Sequence, residues 1–217
     1  MSTPYNPPEN TKSYIVYQDM HLLLAEKPSG LLSVPGRGPE KADCFISRVQ
    51  AEVSDALIVH RLDMETSGLM VLARGPENHK ALSVQFQDRL VKKTYTARVA
   101  GVPIDREGRV DLPLVKDWPN RPLQKVDHIN GKPSVTHWRL LETEGNVSCL
   151  ELTPETGRSH QLRVHLNAIG HPILGDQLYG TAQSKAGADR LQLHACTLEI
   201  THPATGEALR RHSPASF

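Results

Sequence analysis

His60-Arg61-Leu62-Asp63-Met64-Glu65-Thr66-Ser67-Gly68 packs three charged side chains and a histidine into six residues. Ile58-Val59-His60 leads into it as a short strand end, and Leu69-Met70-Val71-Leu72-Ala73 leaves it as an apolar run of strand length. The stretch is therefore a loop carried on a rigid scaffold, where functional side chains concentrate. By composition alone, Asp63 fits better as a solvated turn residue capping nearby backbone, because Asp is common in loops.

Upstream, Tyr14-Ile15-Val16-Tyr17 and Leu22-Leu23-Leu24-Ala25 read as two short strands with a turn at Gln18-Asp19. Two Pro and two Gly within Lys27 to Gly36 exclude a regular element there. Asp43 is the expected N-cap of a helix through about Val53, with Ile46, Val49 and Val53 on one face. Downstream, Gly75-Pro76 starts a helix to about Leu90. Thr94 to Val99 alternates, with Tyr95, Ala97 and Val99 on one side, as a half-buried strand does. Gly101 to Gly131 is rich in Pro and Gly and predicts short hairpin pieces. Ser134 to Leu141 and Val147 to Thr153 flank a turn at Glu144-Gly145-Asn146. Ser159 to Ile169 predicts a helix with Leu162, Leu166 and Ile169 on one face, ended by Gly170 and Pro172. Leu191 to Ile200 is again strand-like. Many strands with a few helices predict an α+β domain on a mixed, mainly antiparallel central sheet with flanking helices and loops.

The chain has 217 residues, 38% hydrophobic and 23% charged, which suits a soluble globular domain. No apolar run approaches a membrane span. Met1 to Asn10 is polar, carries three prolines and lacks a signal-peptide pattern, so residues 1–12 are expected to form a flexible arm ahead of a single domain over 13–217. Cys44, Cys149 and Cys196 are far apart with no CxxC pair, which speaks for buried thiols in a reducing cytoplasm. The net charge of +1 lends no support to nucleic-acid binding, so any such function must rest on local clusters.

Two further segments concentrate chemistry. Thr156-Gly157-Arg158-Ser159-His160-Gln161-Leu162-Arg163-Val164-His165 puts Arg158 at the predicted helix start and Arg163 beside the apolar stripe. From there Arg163 is able to reach a carboxylate; a solvent-facing basic face is the bland alternative. Tyr95, after Lys92-Lys93-Thr94, points inward, where a core tyrosine with a satisfied hydroxyl is the plainer reading. His160 and His165 are five apart and share no i, i+4 metal face. No dinucleotide fingerprint, Walker loop or nucleophile elbow occurs.

Taken together, these segments resemble the RluA-type pseudouridine synthases. His60 to Gly68 resembles that family's HRLDxxTSG motif, and Glu26-Lys27-Pro28-Ser29-Gly30-Leu31 its first motif, with Glu26 where Asn is more usual. Lys92 to Tyr95 resembles its K-x-Y segment and Gly157 to His165 its third motif. His171-Pro172-Ile173-Leu174-Gly175-Asp176 followed by Tyr179-Gly180 resembles the segment after it. The motifs stand in family order and span roughly Tyr14 to Ile200. The resemblance implies a bent sheet with a central catalytic cleft, and roles position by position. Asp63 matches the essential aspartate, Tyr95 the tyrosine that stacks on the target base, and Arg163 the cation paired with the aspartate. Arg61 matches an arginine that fills the place a flipped base leaves. His60, Lys93, Trp118, Arg158, His160 and Leu162 complete the expected RNA-contact set. The first motif begins at Glu26, so an N-terminal S4-like RNA-binding domain is expected to be absent.

The implied reaction isomerises uridine in structured RNA without metal or cofactor. The short form, with Asp117-Trp118-Pro119-Asn120-Arg121-Pro122 in its middle, resembles the dual-specificity branch. That implies a uridine in a tRNA anticodon stem-loop and one in a 23S rRNA hairpin. A cytoplasmic monomer with no membrane and no obligate protein partner is expected. Two other readings fit the residues: an RNA-binding protein with an inert cleft, and a small hydrolase using Asp63 as nucleophile.

Overall fold

The computed structural model describes residues 5–10 and 13–217. Residues 1–4 and 11–12 of the expected arm lie outside the described residues. The described part of the arm, 5–10, holds no regular element, but the Tyr5 hydroxyl donates to the Asp43 carbonyl (3.0 Å) and accepts from the Leu32 N–H (3.1 Å).

The chain divides into two compact units: residues 1–92 with 195–216, and residues 93–194 with 217. In the first, β1 (Ile15–Gln18), β2 (Leu22–Lys27), β4 (Ser67–Arg74) and β11 (Leu193–Thr201) lie side by side. β3 (Ala56–Ile58) pairs with β4, and β12 (Ala208–His212) with β11, both antiparallel. β2 and β4 are buried almost throughout, which explains why both read as continuous apolar runs rather than alternating ones. Leu22, Leu24, Leu69, Val71, Leu82, Leu198 and Ile200 close one core against α2 (Gly75–Gln87). Burial of each such side chain contributes about 1.5–3 kcal/mol.

The second unit orders β5 (Lys92–Ala100), β10 (Val147–Pro154), β9 (Val135–Glu144) and β6 (Glu107–Asp111), every neighbouring pair antiparallel. β7 (Leu114–Lys116) and β8 (Gln124–Val126) form a separate two-stranded hairpin inside the segment where short pieces were expected. Ala97, Val99, Leu150 and Leu152 from the sheet pack with Leu162 and Leu166 of α3 (Gln161–Ala168). α4 (Ala182–Ala186) completes this unit.

The α+β expectation holds, with two local corrections. α1 (Phe45–Glu52) is capped at Cys44 rather than Asp43. The Ser47 hydroxyl accepts from the Cys44 N–H (3.0 Å), while the Asp43 carboxylate is held by Arg48 through two bonds of 2.7 Å. α3 starts at Gln161, two residues later than expected, because His160 takes the left-handed conformation (φ 56°). Arg158 therefore precedes the helix and is exposed.

Candidate active site

The loop from His60 to Gly68 belongs to the first unit, and its shape is imposed from below. The Lys27 side chain points into the interior at 1% exposure. Its Nζ donates to the carbonyls of Pro28, Leu31 and Met64, each at 2.8 Å. Three acceptors around one nitrogen match the three donors of an ammonium. Burial pushes the Lys27 amine down to about 7, while the nearby charges of Glu65 and Asp63 pull the other way. Around this centre, the Gly30 N–H donates to the Met64 carbonyl (3.0 Å) and the Ser29 hydroxyl to the Glu65 carbonyl (2.7 Å). The Ser33 hydroxyl donates to the Leu62 carbonyl (2.7 Å) and accepts from the Leu62 N–H (3.2 Å). The residues on both sides of Asp63 are thus clamped to the Lys27–Ser33 segment, and the Asp63 carbonyl accepts from the Thr66 N–H (3.1 Å) to close the turn.

Inside this frame Asp63 is half-buried, Arg61 is exposed and Leu62 is buried. His60 has a local structural engagement: its Nε2 accepts from the Val71 N–H (3.1 Å), and its ring stacks on Phe86 at 4.4 Å between centroids. Gly68 takes φ 118°, and a Cβ there would lie 2.4 Å from the Ala195 carbonyl oxygen. Only glycine permits that backbone approach and that φ.

In the second unit, Tyr95 sits half-buried on β5, packed against the apolar cluster and in register with Leu152. Burial lowers the Lys93 amine, and a Cβ on Gly157 would meet Lys93 Nζ at 3.6 Å. Arg163 is 3% exposed and gives Asp176 a two-pronged bond, Nε to Oδ2 at 2.8 Å and Nη2 to Oδ1 at 2.6 Å. Burial pushes the Asp176 carboxyl up, but the bonds and charge of Arg163, with the N–H groups of Tyr179 and Leu178, hold it below the usual range. Asp176 thereby orients the guanidinium. Arg163 also lies over the Tyr179 ring at 5.2 Å. The Tyr179 hydroxyl bonds His160 Nδ1 (2.6 Å) and accepts from the Gln124 N–H (2.8 Å).

Sequence reasoning missed several of these supports. Lys27, Ser33, Gln161 and Asp176 carried no assigned role. Gln161 is 3% exposed and shapes the turn before α3: its Oε1 accepts from the Thr156 hydroxyl (2.7 Å) and the Arg158 N–H (3.1 Å), and its amide donates to the Val135 carbonyl (2.9 Å). The available signal was period two: Leu23, Ala25 and Lys27 share one face of β2, which puts a lysine where an apolar residue belongs.

A family model described as RNA pseudouridylate synthase matches residues 21–168. The dual-specificity RNA pseudouridine synthase RluA of Escherichia coli (strain K12) is 50% identical over 214 residues, covering 98% of each chain. The protein of the same name from Vibrio parahaemolyticus serotype O3:K6 is 52% identical over 204 residues, 92% of this chain and 82% of that one. Among solved structures, human RNA pseudouridylate synthase domain containing 1 superposes with a TM-score of 0.81 at 26% identity, covering 98% of this chain and 87% of that chain. Human RNA pseudouridylate synthase domain containing 4 gives 0.75 at 29%, covering 93% and 88%.

Proposed function

The chain belongs to the RNA pseudouridylate synthase family and has its α+β fold, and from that premise we propose that Asp63, Tyr95 and Arg163 carry the reaction. It is an isomerase that converts uridine in RNA to pseudouridine. The N1–C1′ bond breaks, the uracil turns, and C5 bonds to C1′; C5 loses a proton and N1 gains one.

A stacked uridine hides its reacting atoms, so the nucleotide must be flipped into a pocket at a cost of a few kcal/mol. Arg61, exposed beside Asp63, fills the gap the base leaves and offsets part of that cost. Tyr95 supplies a face for the extruded base, worth about 1–3 kcal/mol. Asp63 acts as the carboxylate, and Arg163, oriented by Asp176, keeps the cationic role that the family resemblance gives it. What supports Asp63 above the other carboxylates is its setting. It is half-buried, and its neighbours are clamped by Lys27, Ser29, Gly30 and Ser33, which is the preorganisation that catalysis requires. Lys93, Arg158, His160 and Trp118 are assigned to contact RNA; Leu162, expected in that set, is 7% exposed in the core, and the His60 ring accepts from the Val71 N–H and stacks on Phe86, so both are assigned to support the site instead.

The substrates proposed are a tRNA anticodon stem-loop and a 23S rRNA hairpin, in keeping with the dual-specificity relatives. The protein is proposed to work in the cytoplasm as a monomer, over 13–217, without cofactor or obligate protein partner. Among the described residues, no helix is long and apolar enough to cross a membrane. Incubation of the purified protein with each RNA, followed by carbodiimide labelling and primer extension, tests the substrate assignment. A stop at one loop uridine in each RNA is expected; product on one RNA alone removes dual specificity.

A further inference from the structure

The connection of the β7–β8 hairpin carries an exposed aromatic ring. This connection closes on itself: the Asp117 N–H donates to Leu123 O (2.9 Å), the Asn120 N–H to Asp117 O (3.1 Å), and the Leu123 N–H to Asn120 O (3.0 Å). The Asn120 amide also holds the Asp117 carboxylate (2.9 Å), which keeps the loop's one acid occupied locally. On this closed loop Trp118 is 62% exposed. Its ring is large, apolar and accessible, which gives a base a surface to stack on.

Two cations attend the ring. Lys116 Nζ lies 4.4 Å and Arg121 Cζ 5.3 Å from its centroid. Lys125, paired with Val115 across the hairpin, is exposed as well. Both cations lie over the ring itself, so a base that stacks there displaces one of them, and a cation so displaced stands where the phosphates of that nucleotide run.

The base of the hairpin is linked through Tyr179 to Arg163 of the same unit. Lys116 pairs with Gln124, whose N–H donates to the Tyr179 hydroxyl (2.8 Å). That hydroxyl bonds His160, and Arg163 lies over the same ring. The hairpin is thus bonded through Gln124 to the tyrosine whose ring lies under Arg163, and its connection carries an exposed tryptophan.

We propose that Trp118 stacks on an unpaired base of the stem-loop RNA substrate, with Lys116 and Arg121 on the adjoining phosphates, so that this hairpin sets RNA affinity. The inference deepens the RNA-contact assignment of Trp118 and rests on the RNA-modifying reading.

The test uses a fluorescein-labelled stem-loop RNA with a uridine-containing loop, read by anisotropy for Kd and by pseudouridine formation for KM and kcat. Trp118→Ala is expected to weaken binding about 5- to 150-fold, with the loss in KM far more than in kcat. Trp118→Phe keeps a stacking face and is expected to lose less than about 5-fold. An abasic nucleotide at the stacked position should weaken wild type and leave Trp118→Ala unchanged. Arg121→Ala should lower the slope of log Kd against log salt by about 0.7, the value for one single-strand phosphate. Trp118→Ala binding as tightly as wild type overturns the proposal, and so does Trp118→Phe failing as badly as Trp118→Ala. If wild type binds in a Trp118-dependent way but forms no pseudouridine, the isomerase reading fails and the stacking contact stands. If pseudouridine forms and Trp118→Ala is indifferent, the reverse holds.

Discussion

Lys27→Met separates the two roles of the buried lysine, because methionine fills similar space and donates nothing. With the amine pushed down to about 7, charged and neutral forms have nearly equal free energy at neutral pH. Removing the charge as such therefore changes little there, and the hydrogen bonds decide the outcome. Three carbonyls lose their donor, but only the Leu31 bond is fully buried; those to Pro28 and Met64 are partly buried. Taking about 2–3 kcal/mol for the buried acceptor and about 1 for each of the others gives about 4–5 kcal/mol. The apolar gain of a methionine tip returns about 1, leaving about 3–4 kcal/mol. For 217 residues this lowers the melting temperature by about 7–9 °C. Because the Met64 carbonyl follows Asp63 directly, turnover at a temperature where the variant is folded is expected to fall as well. The pH dependence has a definite sign. Between about 7 and 10 the unfolded chain holds a proton on Lys27 that the folded chain does not, so wild type gains stability as pH rises and Lys27→Met does not. The deficit of the variant should therefore widen over that window, by at most about 1.4 kcal/mol per pH unit. Thermal melts at neutral and alkaline pH, with pseudouridine formation alongside, measure all three effects. A Lys27→Met protein that melts within about 1 °C of wild type and turns over normally would refute the clamp.

Gly68→Ala forces a Cβ to within 2.4 Å of the Ala195 carbonyl at φ 118°. Expression should become insoluble, or the melt fall by about 10 °C or more; a melt close to wild type contradicts the close approach. Arg163→Lys keeps the charge but loses the fork on Asp176, and should cost about 2–4 kcal/mol in denaturant unfolding; an unchanged midpoint counts against that pair's role. Burial raises Asp19, but the N–H groups of His21 and Leu22, with His202 and Tyr17, outweigh it and hold the carboxyl down at about 2. Stability from this group is present above the unfolded value near 4 and is lost as pH falls through about 2. Asp19→Asn should therefore melt lower than wild type at neutral pH, and the gap should close on acidification; a gap that persists at low pH disproves the charge as its cause.

Elements whose burial follows a simple period were legible in the sequence. β4 is an uninterrupted apolar run because both its faces are covered, and β5 alternates because one face meets the core. The β9–β10 hairpin follows from Gly145, which turns at φ 57°. α4 and β12 were not read because they are short and carry no apolar period; β12 alternates between exposed and half-buried positions only. α3 starts later than the apolar period predicts because His160 takes a left-handed φ ahead of it, in a turn bridged by the buried Gln161 and with no capping side chain. The site divides in the same way. Asp63, Tyr95 and Arg163 stand in motifs that are local in sequence. Their supports depend on carbonyls and carboxylates brought from afar, as when Lys27 reaches Met64 or Arg163 reaches Asp176. No window of neighbouring residues encodes those contacts.

The most direct test of the account replaces Asp63 by Asn and follows pseudouridine in a stem-loop RNA under single-turnover conditions, with a melt to confirm folding. Wild type should modify a loop uridine, and Asp63→Asn should bind the RNA, melt as wild type does, and form no pseudouridine. Pseudouridine formed by a folded Asp63→Asn protein at the wild-type rate would contradict the assignment of the reaction to this carboxylate.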